Sequence, residues 1–424
     1  MEIKTKIHTI FLMVGPTNCG KSHLSKLMQE SFHQKLENSC TILSSDEIRR
    51  WLLGQNLDKY DKKMMHVSTQ AFSIVENNLI NLMSYPVSKP FIIIDSTGLN
   101  KEFRDRISWL AKDFHYNIEM VLFNYKKRDD FYKFSDSSNF VLNSHIKKLH
   151  KDVLPNLNKK CFKKINKVIK PLESLNLEVS DLKDYQRCLF PEKKYHIFGD
   201  VHGCLDEFQS LLIKKGLMDD SKKLTFDKEK EEISLVGDLI DKGQKSSELL
   251  SFVLKNKDYI KVVIGNHENF VYKFLSGEIK NTFEPSFLKE NFSCSLDFSK
   301  KDLKNLEEII KNSYPFIKTI DGIITHAPCE VKYLGKVDSK SKQNQRNFFW
   351  EKRRKDFQSI DDYTDYKNKK MSFINEEANF SHPYHVFGHV AMRNVLKIKN
   401  KICLDTGAVH GNRLTSVVLG RKPY

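Results

Sequence analysis

Ile10-Phe11-Leu12-Met13-Val14-Gly15-Pro16-Thr17-Asn18-Cys19-Gly20-Lys21-Ser22 is the stretch from which the first half of the chain can be read. Five apolar residues run unbroken into a loop that fits G-x-x-x-x-G-K-[ST], and Leu24 to Phe32 beyond it has helical periodicity. Strand, glycine loop and helix in that order are what a phosphate cradle requires. Gly15 and Gly20 let the backbone amides around Asn18 and Cys19 close on a β-phosphate, and the following helix points its positive end there. Lys21 can reach the β- and γ-phosphates, and the Ser22 hydroxyl can ligate Mg²⁺. The expected cofactor is therefore ATP with Mg²⁺.

Working outward, Cys40 to Leu43, Phe91 to Ile94 and Asn117 to Phe123 are further apolar runs, separated by helical stretches such as Phe103 to Phe114. Buried strands alternating with helices predict an α/β fold around a parallel sheet. The second strand ends in Ser44-Ser45-Asp46-Glu47-Ile48-Arg49. A carboxylate there can take the proton of an attacking hydroxyl, which makes Asp46 a candidate general base. Arg49, one helical turn later, can hold a phosphate of the acceptor. Asp46 can equally be a helix N-cap. The third strand ends in Asp95-Ser96-Thr97, with Asp95 placed for the water shell of Mg²⁺. Residues 126–165 are basic, and Val141 to Leu157 has helical periodicity, so this region reads as a lid, with Arg128 a candidate for the transferring phosphoryl group. The boundary is set near Asp184, giving units 1–184 and 185–424.

In the second half, short apolar runs end directly in polar clusters: Gly199-Asp200-Val201-His202-Gly203, Gly237-Asp238-Leu239-Ile240-Asp241-Lys242-Gly243 and Gly265-Asn266-His267-Glu268, then Thr325-His326 and Gly388-His389. Oxygen and imidazole donors converging on one sheet edge suit two hard or borderline divalent ions, Mn²⁺ foremost. Asp238 is the natural bridge, with Asp200 and His202 completing one ion and Asn266, His326 and His389 the other. Ions about 3.5–4 Å apart would clamp a phosphate for in-line attack by a hydroxide generated between them. His267 would protonate the leaving oxygen, Asp241 would orient that imidazole, and Asp405 would support the site from behind. Residues 270–315 and 330–380 read as helical, charged inserts, and Phe348 to Arg354 mixes aromatic with basic side chains.

The 424 residues are 40% hydrophobic and 29% charged, enough for two or three domains with sizeable cores. A net charge of +16 favours polyanionic partners without requiring them. The eight cysteines include no CxxC pair, which argues against a disulfide framework or a cysteine zinc site and for reduced thiols in a cytoplasmic protein. No apolar run approaches the ~18–20 residues of a membrane span, and no signal peptide opens the chain.

The P-loop, Ser45-Asp46 with Arg49, and Asp95-Ser96-Thr97 with Arg104 make residues 8–170 resemble the polynucleotide 5′-kinase group. That resemblance implies Asp46 as general base and Arg49 on an acceptor phosphate. The group's lid supplies arginines to the ATP phosphates, where this chain has Asn143-Ser144-His145-Ile146-Lys147-Lys148. Residues 195–420 resemble the protein-phosphatase-type branch of the calcineurin-like metallophosphoesterases. In that branch Asp-Arg-Gly carries an arginine on the substrate phosphate, where this chain has Asp241-Lys242-Gly243. Lysine keeps the charge and loses the planar fork.

In this order, the halves resemble the bacterial polynucleotide kinase-phosphatase family of RNA end-healing enzymes. The resemblance implies a 5′-hydroxyl kinase joined to a 2′,3′-cyclic and 3′-phosphatase, acting on RNA ends or alternatively on DNA. The family's ligase domain has no counterpart before Tyr424, so a separate RNA ligase is the expected partner. The alternative is a dinucleoside tetraphosphatase or Ser/Thr phosphatase joined to a small-molecule or regulatory P-loop domain.

Overall fold

A computed structural model describes residues 1–58, 61–133, 139–157, 159–278, 295, 297–336 and 383–420. Cys294, the run Phe348 to Arg354 and most of the 330–380 insert lie outside the described residues. The chain divides into two compact units: Met1–Tyr185 together with Val331–Lys336, and Gln186–Glu330 together with Val337–Tyr424.

The first unit contains β1 (Glu2–Thr5), β2 (Thr9–Val14), α1 (Lys21–Lys35), β3 (Cys40–Ser44), α2 (Ser45–Leu53), α3 (Lys62–His66), α4 (Ser68–Met83), β4 (Phe91–Asp95), α5 (Lys101–Asp113), β5 (Asn117–Phe123), α6 (Asn139–Lys148), β6 (Lys164–Val168) and β7 (Asn176–Val179). Five strands form a wholly parallel sheet in the order β3-β4-β2-β5-β6. Every residue of β2 and β4 is buried, which explains why both read as unbroken apolar runs rather than alternating ones. The P-loop leaves the sheet from its middle strand, with β4 and β5 on either side. A separate parallel pair joins β1 to β7. Among the described residues the lid region holds the α-helix α6, which widens into a π-turn at Leu149–Val153. Val331–Lys336 belongs to this unit: Val331 O accepts from the Tyr85 amide at 3.3 Å, Leu334 O accepts from Ser88 Oγ at 3.2 Å, and Tyr333 lies on the His115 ring.

The second unit contains β8 (Lys194–Phe198), α7 (Leu205–Lys214), β9 (Glu231–Leu235), α8 (Ser246–Lys255), β10 (Ile260–Val262), α9 (Asn266–Leu275), α10 (Lys300–Asn312), β11 (Ile317–Lys318), β12 (Gly322–Ile324), β13 (Tyr384–Phe387), β14 (Leu396–Ile398), β15 (Lys401–Cys403) and β16 (Ser416–Leu419). Two sheets result, β10-β9-β8-β16 and β11-β12-β13-β15-β14. Strand periodicity divides the apolar residues between two cores. Tyr195 and Ile197 of β8 join Ile324, Val386 and Ile402 of the other sheet in one core, while Phe198, Ile233 and Leu235 face α7 and α8 in another. Fully burying an aliphatic or aromatic side chain of this size contributes roughly 1.5–3 kcal/mol, so the register that separates these faces is strongly held. β8, β9, β12 and β13 run parallel to their inner neighbours and deliver their C-terminal residues to one edge, where the Asp and His clusters stand.

Candidate active sites

In the first unit, Gly20 takes φ +86°, a left-handed turn that hands the chain to α1. Lys21, almost completely buried, folds its Nζ back onto the Pro16 carbonyl and lies 3.8 Å from Cys19 Sγ. Ser22 hydrogen-bonds the Asp95 side chain at the end of β4, and burial raises the Asp95 carboxyl above its ordinary range. A cavity of about 500 Å³ opens over this loop. Thr17, Asn18, Gly20, Lys21, Ser22 and Asp95 form one wall, and Asp46, Arg49 and Phe72 line the same cavity.

The N-cap of α2 is Ser44, whose side chain accepts the Glu47 amide at 3.3 Å, and not Asp46. Asp46 is left to face the cavity, where Arg49 Nη1 meets its Oδ1 at 2.6 Å. The Arg49 guanidinium lies over the Phe72 ring, and its Nε is buried without a hydrogen-bond partner. A buried guanidinium donor aimed at no protein acceptor is costly unless an anion completes it.

Two expected residues fall elsewhere. Arg128 is exposed, does not line the cavity, and reaches Asn143 Oδ1 at 3.2 Å and the Tyr132 hydroxyl at 3.4 Å. Arg104 is buried and donates to the Gly98 carbonyl at 2.8 Å. The lid residue that meets the P-loop is His145, whose Nδ1 accepts the Thr17 amide at 3.3 Å. A histidine that stands in for an arginine carries no signal of this contact in the sequence, because the contact joins residues 128 positions apart.

In the second unit, His202, Asp238 and His267 present ligand atoms within 4.8 Å of one another, and so do Asp238, His326 and His389. Asp238 is common to both groups. Tautomers follow from the outer hydrogen bonds. His202 Nδ1 gives its proton to the Ile240 carbonyl at 2.8 Å, and His326 Nδ1 gives its own to the Val236 carbonyl at 3.0 Å. Each Nε2 therefore turns a lone pair inward. His326 Nε2 stands 3.1 Å from His389 Nδ1 and 2.8 Å from Asn266 Oδ1. Converging lone pairs on a buried carboxylate are what a cation would relieve, so the donor set fits divalent metal.

Asp200 accepts the His389 backbone amide at 3.0 and 3.2 Å. Its carboxyl is pushed well up by burial and by the neighbouring Asp405 and Asp238 carboxylates. A Cβ on Gly388 would overlap Asp200 Oδ1, so only glycine allows that approach. Asp405 is itself buried and accepts the Gly407 amide at 2.9 Å. His202, Asp238, Asp241, Lys242 and His389 all hold positive φ, between 44° and 70°. Backbone strain of this kind concentrates where several elements over-determine a site.

His267 Nδ1 lies 2.8 Å from Asp241 Oδ2, and Lys242 Nζ lies 3.1 Å from His202 Nε2. Glu268 has a part that its sequence position does not disclose. Its carboxylate accepts the amides of Asp238, Leu239, Ile240 and Gly265 at 2.6–3.2 Å, tying the Asp238 loop to the start of α9. Burial pushes this carboxyl up to about 7.

Residues 193–407 match the family model described as calcineurin-like phosphoesterase, and residues 10–128 match an AAA domain model. The chain is 29% identical over 245 residues to a bis(5′-nucleosyl)-tetraphosphatase (asymmetrical) of Oceanobacillus iheyensis, covering 54% of this chain and 90% of that protein. The corresponding Bacillus subtilis tetraphosphatase is 29% identical over 233 residues, covering 52% and 88%. A cold-active protein-tyrosine phosphatase of a Shewanella species superposes with a TM-score of 0.36 at 16% identity, covering 55% of this chain and 77% of that one.

Proposed function

Because the chain belongs to the calcineurin-like phosphoesterase family, we propose that its second unit hydrolyses phosphate ends of nucleic acid while its first, P-loop kinase-like unit phosphorylates 5′-hydroxyl ends. RNA is the intended substrate, with DNA as the alternative, and a separate RNA ligase would seal the healed ends. The observation that carries the kinase reading is the single cavity lined by Lys21 and Asp95 and by Asp46 and Arg49. A hydroxyl placed there has a base at Asp46, and a phosphate beside it has the unpartnered Arg49 Nε. ATP and Mg²⁺ would be held by the P-loop amides, Lys21, Ser22 and Asp95.

In the second unit, Asp200, His202, Asp238, Asn266, His326 and His389 would hold two divalent ions, Mn²⁺ by our reading, with Asp405 as buried support. Ions bound there would draw charge from the phosphoryl group and favour deprotonation of the attacking water. Lys242 adds positive charge beside His202, and His267, turned by Asp241, keeps Nε2 available for the leaving oxygen. A second reading, hydrolysis of dinucleoside tetraphosphates with a P-loop unit that serves a small molecule, is favoured by the tetraphosphatase relatives.

The test is RNA with 2′,3′-cyclic phosphate and 5′-hydroxyl ends, incubated with ATP and Mn²⁺. Conversion of both ends supports end healing, with Lys21→Ala losing only 5′ phosphorylation and Asp238→Ala losing only end dephosphorylation. Hydrolysis of a dinucleoside tetraphosphate with both RNA ends untouched would replace it by the second reading.

A further inference from the structure

We infer that Ser295 is a positioning residue of the phosphoesterase site, holding the Asp241 carboxylate so that His267 is aimed at the leaving group; the inference rests on the hydrolase reading above. Ser295 is fully buried, and its Oγ donates to Asp241 Oδ1. Asp241 is also fully buried, and its other oxygen, Oδ2, takes His267 Nδ1 at 2.8 Å. The Asp241 amide donates to Ser246 Oγ at 3.1 Å, and the His267 amide donates to Asp238 Oδ1 at 3.1 Å. The backbone at both ends of the Asp–His pair is thus pinned, and the carboxylate's rotation is the freedom that remains. Ser295 removes it. A buried carboxylate oxygen deprived of its donor would turn to find another, and the imidazole would turn with it.

During ester cleavage the bond from phosphorus to the leaving oxygen breaks as the bond to water oxygen forms; the proton on His267 Nε2 passes to the leaving oxygen, the attacking water gives up a proton to solvent, and solvent reprotonates the imidazole. An alkoxide needs that proton and a nitrophenolate does not. Ser295→Ala should therefore lower kcat about tenfold on alkyl phosphates and markedly less on p-nitrophenyl phosphate, with KM and bound metal unchanged. Ser295→Thr should restore kcat, and Ser295→Cys, a weaker donor of similar size, should fall between.

A second readout needs no turnover. In the metal-free protein the His267 Nδ1 proton, held by Asp241, should give a downfield NMR resonance. It should persist in Ser295→Thr, weaken in Ser295→Cys and vanish in Ser295→Ala. Equal loss on both ester classes, or an unchanged resonance in the alanine and cysteine variants, would overturn the assignment. Because the resonance is read without hydrolysis, this failure is distinct from a failure of the hydrolase reading, which would show as wild-type protein inert on every ester.

Discussion

Arg49 Nη1 stands 2.6 Å from Asp46 Oδ1, an ion pair made within α2 at the mouth of the P-loop cavity. The guanidinium is mostly covered and the carboxylate less so, so the pair anchors Asp46 while leaving an oxygen accessible. Asp46→Asn preserves shape and removes the proposed base. Phosphoryl transfer should fall by about 10²–10⁴ while ATP still binds, checked by ³²P transfer beside nucleotide titration. An equal loss of ATP affinity would mean that Asp46 serves the nucleotide instead.

Lys242 places a positive charge beside His202. Its Nζ is a point donor 3.1 Å from His202 Nε2. Lys242→Ala should raise KM for phosphate esters by about tenfold, the scale of one charge-assisted contact, whereas Lys242→Arg should retain or lower KM. Steady-state kinetics on p-nitrophenyl phosphate decide it; an arginine variant as weak as the alanine one would show that the site accepts only the compact ammonium of lysine.

Much of this architecture is legible in the sequence. Parallel strands buried on both faces give continuous apolar runs, and the polar residue that ends each run marks the sheet edge, which is how Asp46, Asp95, Asp200, Asp238 and Asn266 come to notice. Three kinds of residue escape that reading. β6 and β7 carry Lys, Asn and Glu on partly exposed edges and lack the apolar run. Ser295 and His145 act through partners 54 and 128 residues away, and a single sequence records no such pairing. Val331–Lys336 is short and mixed in character, and only its contacts assign it to the first unit.

The His145 contact should depend on pH. Burial, with Lys21 and then Lys148 nearby, lowers the imidazole's affinity for a proton when it is docked on Thr17. A histidine with a depressed folded value contributes its contact fully above the ordinary value of about 6.5 and loses it as pH falls through the depressed one. Protection of the Thr17 amide from hydrogen exchange, corrected for intrinsic rate, should therefore drop on acidification in the wild type. In His145→Ala it should be flat across the same range; a wild-type profile with no such drop would refute the docking.

Lys336 is completely buried, donates to the Lys332 carbonyl, and places Nζ 5.1 Å from the Tyr116 ring and 5.8 Å from the Phe114 ring. Desolvated cation–π contacts are worth about 2 kcal/mol, and losing the aliphatic stem adds a cavity. Lys336→Ala should destabilise the first unit by about 2–4 kcal/mol, read by denaturation followed through Trp51 and Trp109, both of that unit. A change under about 0.5 kcal/mol would show that Val331–Lys336 adds little to it.

His326 Nε2 and His389 Nδ1, 3.1 Å apart, bear on metal and stability together. His326 already gives its Nδ1 proton to the Val236 carbonyl at 3.0 Å, so its inner nitrogen is a lone pair, and burial keeps the ring from taking a second proton. With Asp238 and the Asn266 oxygen also facing inward, a cation relieves the repulsion only in the folded state. Free Mn²⁺ at a hundred times its Kd should then stabilise the protein by about 2.7 kcal/mol, and chelation should reverse the gain. His326→Ala removes the relay from Val236 together with one ligand, so most of that metal-dependent rise in Tm should vanish. A full Mn²⁺-dependent rise in the variant would place the ion elsewhere than between Asp238 and this imidazole pair.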